Sequence, residues 1–334
     1  MTRPLKDQVI VITGASSGIG RATALKCAQA GAKVVLAARD QQALDEVVTQ
    51  IQLNSGSAVS HVTDVSQYAE VETLANQTFA SFGRIDTWVN DAAVALYGMF
   101  NETSTEEFEQ VIRVNLLGTM YGVKAVLPHM QRQGYGTIIN VGSVLSSRAV
   151  PLQTAYVASK FGVRGFTDAL RMELMSQKAD ITVTLVMPAS INTPFFTHAR
   201  SRMGVRPQPI PPVYEVELAA DTIIHAIKTR PRDAYVGGAG PLFTIMQKLS
   251  PTFVDKLMTL NDMAFKSQKT KMPDTGRDAL FEPMEGSSRA SGDFAHLVKP
   301  SLYSRLAQNT PLSLLIAAGI AIGGIALYKN GKDD

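Results

Sequence analysis

Tyr156 and Lys160, in the segment YVASK, are side chains whose types and spacing suit acid–base chemistry. Residues four apart lie on one face of a helix, so the phenol and the ammonium can face the same space. A phenol has an ordinary pKa of about 10, and a nearby cation favours its ionised form. The pair alone is typical both of a proton relay and of a solvated helix surface.

A second candidate site is the turn TGASSGIG, residues 13–20, which directly follows a predicted strand. Glycines permit a tight turn and a close approach to a ligand, and the helix that follows offers free N–H groups to a pyrophosphate. Glycine is common in loops, but here the turn joins a strand to a helix, as dinucleotide binding requires. The predicted nucleotide-binding residues of this turn are Gly14, Ser16, Ser17, Gly18, Ile19 and Gly20.

The end of the second predicted strand indicates which nucleotide binds. An NAD-preferring site usually has an acid there, whereas this chain has two alanines followed by Arg39. A guanidinium suits a 2′-phosphate, so NADP(H) is favoured over NAD(H). Asp40 is a competing acid, but it stands where a helix cap is expected. After the third strand, Asp64 and Val65 are predicted to contact the cofactor, Asp64 at the adenine edge, and Asp64 can also cap a helix.

The elements that must position these residues alternate along the chain. Short β-branched runs are separated by longer helical segments, a pattern typical of parallel strands joined by crossover helices. The predicted fold is therefore α/β, a doubly wound Rossmann-type seven-stranded parallel sheet with helices on both faces. The predicted strands are 9–13, 33–38, 58–63, 85–90, 137–143, 181–187 and 234–238, and the helices lie near 18–30, 40–54, 67–82, 104–132, 154–178 and 215–229.

The C-terminal third of the chain has a different character. Residues 312–328 contain 17 uncharged residues, a helix of about 26 Å, which predicts a transmembrane helix, with a buried or docking helix as the alternative. This segment predicts a protein anchored in a membrane by a single C-terminal helix, with the catalytic domain cytoplasmic. The predicted regions are a catalytic domain at 1–240, a helical extension at 241–269, a linker or extended segment at 270–311, and the transmembrane helix at 312–328.

Composition excludes several classes of function. The net charge is +3 with scattered basic residues, so no nucleic-acid partner is predicted. A single cysteine, Cys27, rules out an intrachain disulfide, and five dispersed histidines predict no metal site. The N-terminus is polar and predicts no secretory signal. A homo-oligomer is left open.

Taken together, the motifs resemble the short-chain dehydrogenase/reductase family. The likeness covers residues 6–238 and rests on the glycine turn, Asn90 after strand four, Asn115, Ser143, and Tyr156-x-x-x-Lys160 in this order. It implies an NAD(P)-dependent enzyme acting on CH–OH and C=O groups. By the resemblance, Tyr156 exchanges the proton, Lys160 tunes it and holds the nicotinamide ribose, Ser143 binds the substrate oxygen and Asn115 holds a water.

The resemblance also implies further cofactor contacts, from Asn90, Pro188, Ile191 and Thr193. Two departures from the family pattern stand near them. The chain has Asn90-Asp91-Ala92-Ala93 where the family usually has Asn-Asn-Ala-Gly, and Pro188-Ala189 where it has Pro-Gly. Each replaces a glycine by a residue whose Cβ narrows the allowed backbone.

The predicted substrate pocket follows strands four, five and six. Its residues are mostly apolar, which favours a small lipophilic carbonyl or alcohol substrate, and residues 195–214 are predicted to form a lid over it. A non-catalytic, cofactor-binding membrane sensor or scaffold is the alternative function, and an epimerase is a third. The predicted lining is Val94, Leu96, Tyr97, Met99, Phe100, Val144, Leu145, Leu152, Phe195, Phe196 and Met203.

Overall fold

Seven short runs of apolar and β-branched residues form one parallel sheet, whose central strands are buried on both faces. The computed structural model describes residues 3–308 apart from 285 and 287. The strand order is β7-β6-β5-β4-β1-β2-β3, and every pairing between neighbours is parallel. The predicted seven-stranded sheet is confirmed. The strands are β1 (Val9–Thr13), β2 (Lys33–Ala38), β3 (Ser57–Val62), β4 (Thr87–Asn90), β5 (Tyr135–Val141), β6 (Asp180–Pro188) and β7 (Asp233–Val236).

Helices cover both faces of this sheet. One apolar core lies under α1, α2 and α7, and the other under α3, α5 and α6. The chain order reverses between β1 and β4, and this switch point opens a crevice at the carboxyl ends of the strands. The helices are α1 (Gly18–Gln29), α2 (Gln41–Leu53), α3 (Tyr68–Phe82), α4 (Thr105–Ile112), α5 (Gly118–Gln133), α6 (Thr154–Ser176) and α7 (Val216–Thr229).

The helix predicted at 104–132 is present, with a π-helical turn inside it. A capping box starts α4, with the Ser104 side chain accepting from the Glu107 N–H and the Glu107 carboxylate accepting from the Ser104 N–H. A π-helical turn, Arg113–Leu117, then joins α4 to α5. Such turns bulge the helix locally and often occur at functional sites. This one contains the predicted catalytic residue Asn115.

After the sheet, the chain adds helices that pack beside the crevice. These are α8 (Ala239–Leu249), α9 (Pro251–Thr259), α10 (Met263–Lys266) and α11 (Leu302–Gln308). The first three agree with the predicted helical extension at 241–269. A strand, Lys269–Pro273, pairs antiparallel with Val205–Pro207.

The segment predicted to be a linker or an extended segment packs on the domain. Leu280 and Phe294 are buried in the same core cluster as Tyr156. The sequence does not indicate this packing, because the apolar residues of the segment occur in runs too short to show a helical or strand period.

The predicted membrane anchoring is corrected. No helix within residues 3–308 is both long and apolar enough to cross a membrane. The longest described helix is α6, whose 23 residues include the charged Lys160, Arg164 and Arg171. The 11 residues of α8 span only about 16 Å at 1.5 Å per residue. The segment on which the prediction rested, 312–328, lies outside the described residues.

Candidate active site

The glycine-rich turn is packed tightly against the loop that follows β4. Gly14 has a φ of 72°, and a Cβ on it would lie 2.8 Å from the Ala92 Cα. Gly18 also has a positive φ, 55°, at the first residue of α1. The Thr13 hydroxyl accepts the N–H groups of Asp91 and Ala92, which holds the two loops together. Only glycine meets the backbone conformation and the close approach at position 14 without strain.

Most predicted cofactor residues line one cleft along the carboxyl edge of the sheet. These are Gly14, Ser16, Ser17, Gly18, Ile19, Arg39, Asp64, Val65, Pro188, Ile191 and Thr193, and the same cleft is lined by Ser143, Tyr156 and Lys160. The structure therefore brings the nucleotide motif and the acid–base pair into one continuous space.

Gly20 and Asn90 lie outside the cleft lining. A Cβ on Gly20 would collide with the Gly14 carbonyl, so this glycine closes the back of the turn. The Asn90 amide donates to the Asn140 side chain at 2.9 Å and accepts from the Trp88 indole at 2.8 Å. Asn90 thus links β4 to β5 below the cleft, and the structure gives it a role in holding the strands.

The acids beside the adenine end have local backbone partners. Asp40 caps α2, since its side chain accepts the Ala43 N–H at 3.0 Å, as predicted. Asp64 accepts the Ser66 N–H at 2.9 Å within the loop before α3. The residue before α3 is Gln67, so Asp64 does not cap that helix.

Arg39 reaches the cleft, but two of its N–H groups are already bound. The guanidinium donates to the carbonyl oxygens of Ala279 and Phe281, each at 2.6 Å. Both acceptors belong to the segment that the sequence predicted to be a linker. A guanidinium has five N–H donors, so donors remain for a phosphate.

The acid–base residues meet at the end of β5. Tyr156 and Lys160 lie in the first two turns of α6, and Ser143 follows β5. Ser143 and Tyr156 line the same cleft, and the Ser143 side chain acts to lower the pKa of the Tyr156 phenol. Lys160 donates to the Val141 carbonyl at 2.8 Å, and its Nζ lies 5.6 Å from the centroid of the Tyr156 ring. Both side chains are buried, so a proton donor, a cation and a hydroxyl share a space shielded from bulk water.

Asn115 supports this arrangement from behind. Its side chain accepts the Val94 N–H at 2.8 Å and donates to the Val94 carbonyl at 3.0 Å and to the Ser159 hydroxyl at 3.2 Å. It therefore ties the loop after β4 to α6, one residue before Lys160. Its predicted role as the holder of a water remains a prediction.

Burial dominates the electrostatics of the pair. It raises the pKa of Tyr156 above its ordinary value, against the opposing effect of the Ser143 side chain, and the Asp91 carboxylate raises it further. Burial lowers the pKa of Lys160 to about 8, while Asp91 acts in the opposite direction. The spacing of Tyr156 and Lys160 predicts that Lys160 lowers the pKa of Tyr156. Without a cofactor, the loss of hydration on burial has a larger effect on the pKa of Tyr156 than the neighbouring side chains have.

Asp91, one of the departures from the family pattern, is a charged group within this site. Burial raises its pKa to about 7, against the opposing effects of Lys160 and of the Gly20 N–H. It is therefore largely ionised at the alkaline pH at which a buried phenol titrates. An amide at this position would carry no such charge.

We expect Asp91→Asn to lower the pKa of Tyr156, because it removes a nearby negative charge. Alcohol oxidation requires the phenolate as base, so the alkaline rise of kcat/KM should move to lower pH. The measurement is a profile of kcat/KM against pH, with Asp45→Asn on the exposed face of α2 as the control. A rise that stays in place, or moves to higher pH, would contradict the assigned effect of Asp91.

The substrate end of the cleft is only partly as predicted. Of the predicted lining residues, Val94, Tyr97, Val144, Leu145, Phe195 and Phe196 line it. Met99 and Phe100 are exposed instead, since they belong to a surface turn. Phe243 and Met258, from α8 and α9, also line the cleft but were not among the predicted lining residues. Nothing local in those helices indicates where they dock. Two polar residues of the lining, Arg148 and Gln153, were likewise not predicted.

The residues of the cleft fit a nicotinamide dinucleotide. The glycine turn lines the cleft with backbone that carries no side chains at Gly14 and Gly18, and the N-terminus of α1 suits a pyrophosphate. His198 lines the same cleft, and its Nε2 is buried without a hydrogen-bond partner among the described residues. Burial lowers the pKa of His198 to about 4, so the imidazole is neutral at pH 7 and can donate or accept one bond.

Comparison with known proteins agrees with this geometry. A family model described as short chain dehydrogenase matches residues 8–204. The chain is also 34% identical over 322 residues to a Bacillus subtilis (strain 168) protein described as uncharacterized oxidoreductase YxnA. That alignment covers 95% of this chain and 90% of the relative, so it includes the C-terminal elements that pack beside the cleft.

Two solved structures are similar in fold. One is a short chain dehydrogenase/reductase from Burkholderia phymatum in complex with NAD, with a TM-score of 0.67, 28% identity, and coverage of 74% of this chain and 95% of that one. The other is an alcohol dehydrogenase from the archaeon Thermococcus sibiricus complexed with 5-hydroxy-NADP, with a TM-score of 0.60, 27% identity, and coverage of 68% and 94%. The two complexes support a nicotinamide cofactor without choosing between NAD and NADP.

Proposed function

Since the chain belongs to the short-chain dehydrogenase family, and is thereby an NAD(P)-dependent oxidoreductase, we propose that it uses NADP(H) to interconvert a small lipophilic carbonyl compound and its alcohol. The observation that carries the proposal is that Tyr156, Lys160 and Ser143 line the same cleft as the glycine turn, with the Lys160 Nζ 5.6 Å from the centroid of the Tyr156 ring. No specific observation favours the non-catalytic alternative.

The chain's own residues supply proton transfer and positioning. When bound, a nicotinamide cofactor supplies or accepts the hydride. In reduction, the Tyr156 hydroxyl donates its proton to the substrate oxygen, which the Ser143 hydroxyl also binds. The ammonium of Lys160 favours the phenolate that remains. In oxidation, the phenolate accepts the alcohol proton. Burial of all three side chains keeps bulk water from competing for that proton.

The wall of the cleft supports a lipophilic substrate. Phe195 packs against the Tyr156 ring with centroids 5.6 Å apart, and Phe243 and Met258 add apolar surface from the helical extension. The buried Arg148 is paired with Asp255 at 2.7 Å, so its charge is already balanced. A screen of lipophilic ketones and aldehydes, followed by the absorbance of NADPH, tests the proposal. Turnover confined to small charged substrates would contradict it.

The NADP preference rests on Arg39. We expect Arg39→Ala to weaken NADPH binding by about 1.5–3 kcal/mol more than NADH binding, the value of one hydrogen bond to a charged group. The measurement is the ratio of the two Kd values, obtained by fluorescence titration. Arg39→Lys is the matched variant, since it keeps the charge but loses the planar fork. Equal losses for both cofactors would show that Arg39 does not read the 2′-phosphate.

A further inference from the structure

A C-terminal segment lies across the adenosine end of the cofactor cleft. We define the strap as residues 278–284 together with 288–294. Its residues Ala279, Pro283, Met284 and Ser288 line the cleft together with the glycine turn. The strap lies more than 100 residues beyond Tyr156 in the chain, and the proton-transfer chemistry does not use it.

On one bank of the cleft, the strap is held by β2 and α2. Arg39, at the end of β2, donates to two strap carbonyls, those of Ala279 and Phe281. The Ser288 hydroxyl donates to the Glu46 carboxylate on α2. Arg39 therefore holds the strap in place through these two hydrogen bonds, in addition to its proposed role in cofactor binding.

On the other bank, the strap is held by the segment after β6. The Gly292 N–H donates to the Asn192 carbonyl at 3.1 Å, and the Phe294 N–H donates to the Asn192 side chain at 2.9 Å. The Ala279 N–H donates to the His198 carbonyl at 2.8 Å. A Cβ on Gly292 would collide with the Thr193 carbonyl, so the strap backbone is seated directly on this bank.

Between the banks, the strap crosses the glycine turn. The Gly18 N–H donates to the Arg289 carbonyl at 3.1 Å, at the N-terminus of α1. Leu280, 1% exposed, anchors the strap in the core, and its carbonyl accepts from the Gln110 side chain on α4. The cleft continues beneath these contacts, since residues of both banks still line it. The strap therefore covers the cleft without filling it.

We propose that the strap is part of the cofactor-binding site. It covers the adenosine half of the bound cofactor and opens to admit and release the cofactor. The inference rests on the proposed function, because the adenosine end is identified by the glycine turn and Arg39. The His198 Nε2 has no hydrogen-bond partner in the part of the chain that the structure describes. His198 lines the cleft beside the strap and is positioned to bind the enclosed nucleotide. Dissociation of the cofactor is then limited by opening of the strap.

Two variants loosen the strap without altering a residue that touches the reacting atoms. Leu280→Ala removes its apolar anchor, and Gly292→Ala introduces a Cβ where the Thr193 backbone stands. We expect each to accelerate dissociation of both NADPH and NADH by about tenfold or more, since a buried leucine is a large part of the stability of a short segment. Leu53→Ala, at a position 81% exposed, and Gly165→Ala, in open space, are the matched controls.

The readouts are the cofactor dissociation rate in a stopped-flow displacement experiment and hydrogen exchange of peptides from the strap. In the parent protein, NADPH should slow exchange of the strap. Unchanged dissociation rates in both variants would overturn the proposal, as would tighter cofactor binding, which would identify the strap as a plug. Both readouts are independent of turnover, so they remain decisive if no lipophilic substrate is found and the proposed function fails.

Discussion

Tyr156→Phe is expected to reduce turnover by about 10²–10⁴-fold, the usual contribution of a positioned proton donor. The substitution removes one hydroxyl, from a buried ring that lines the cleft together with Ser143 and Lys160. The ring itself stays, so its contact with Phe195 and the packing of the start of α6 should be unchanged. The measurement is kcat/KM for carbonyl reduction, together with the Kd for NADPH.

The Kd for NADPH should change little, because only the proton donor is lost. Tyr121→Phe is the matched control, since it removes a hydroxyl from α5 at a position outside the cleft lining. Activity of Tyr156→Phe above about one per cent of the parent would exclude Tyr156 as the main proton donor, because it would lie at or above the upper edge of the expected range.

The fold was predictable because its signals are local. Each predicted strand coincides with an observed one within about two residues, and the alternation with helices implies a parallel sheet. Asp40 was correctly interpreted as a helix cap because capping depends on residues three positions apart. The π-helical turn between α4 and α5 was not predicted, since such a turn inserts one extra residue and no glycine or proline lies within Arg113–Leu117 to mark it.

The site was predictable where motifs occur at the ends of elements. Ser143, Tyr156, Lys160 and the glycine turn all line the cleft, because the carboxyl ends of parallel strands meet at one edge. The sequence does not show that the Asn90 side chain bonds the neighbouring strand, and its predicted contact with the cofactor remains a prediction. The partners of Arg39 could not have been found, because Ala279 lies 240 residues away along the chain and contributes only a backbone carbonyl.

Lys160→Met is expected to impair both chemistry and cofactor binding, in contrast to Tyr156→Phe. Methionine keeps a long apolar side chain in the buried space but removes the ammonium, which lies 5.6 Å from the Tyr156 ring. Loss of that charge disfavours the phenolate, so kcat/KM should fall by about 10²–10⁴-fold. Loss of one charge-assisted bond to the cofactor should weaken NADPH binding by about 1.5–3 kcal/mol, or roughly 10- to 150-fold.

The pH dependence separates these roles of Lys160. Burial lowers its pKa to about 8, so the ammonium is mostly present below that pH and is lost above it. In the parent protein, the affinity for NADPH should therefore fall as the pH rises through 8, and in Lys160→Met this fall should disappear. Lys124→Met on the exposed face of α5 is the control for removal of a charge. If the fall persists in Lys160→Met, another group binds the cofactor, and Lys160 acts on the proton of Tyr156 alone.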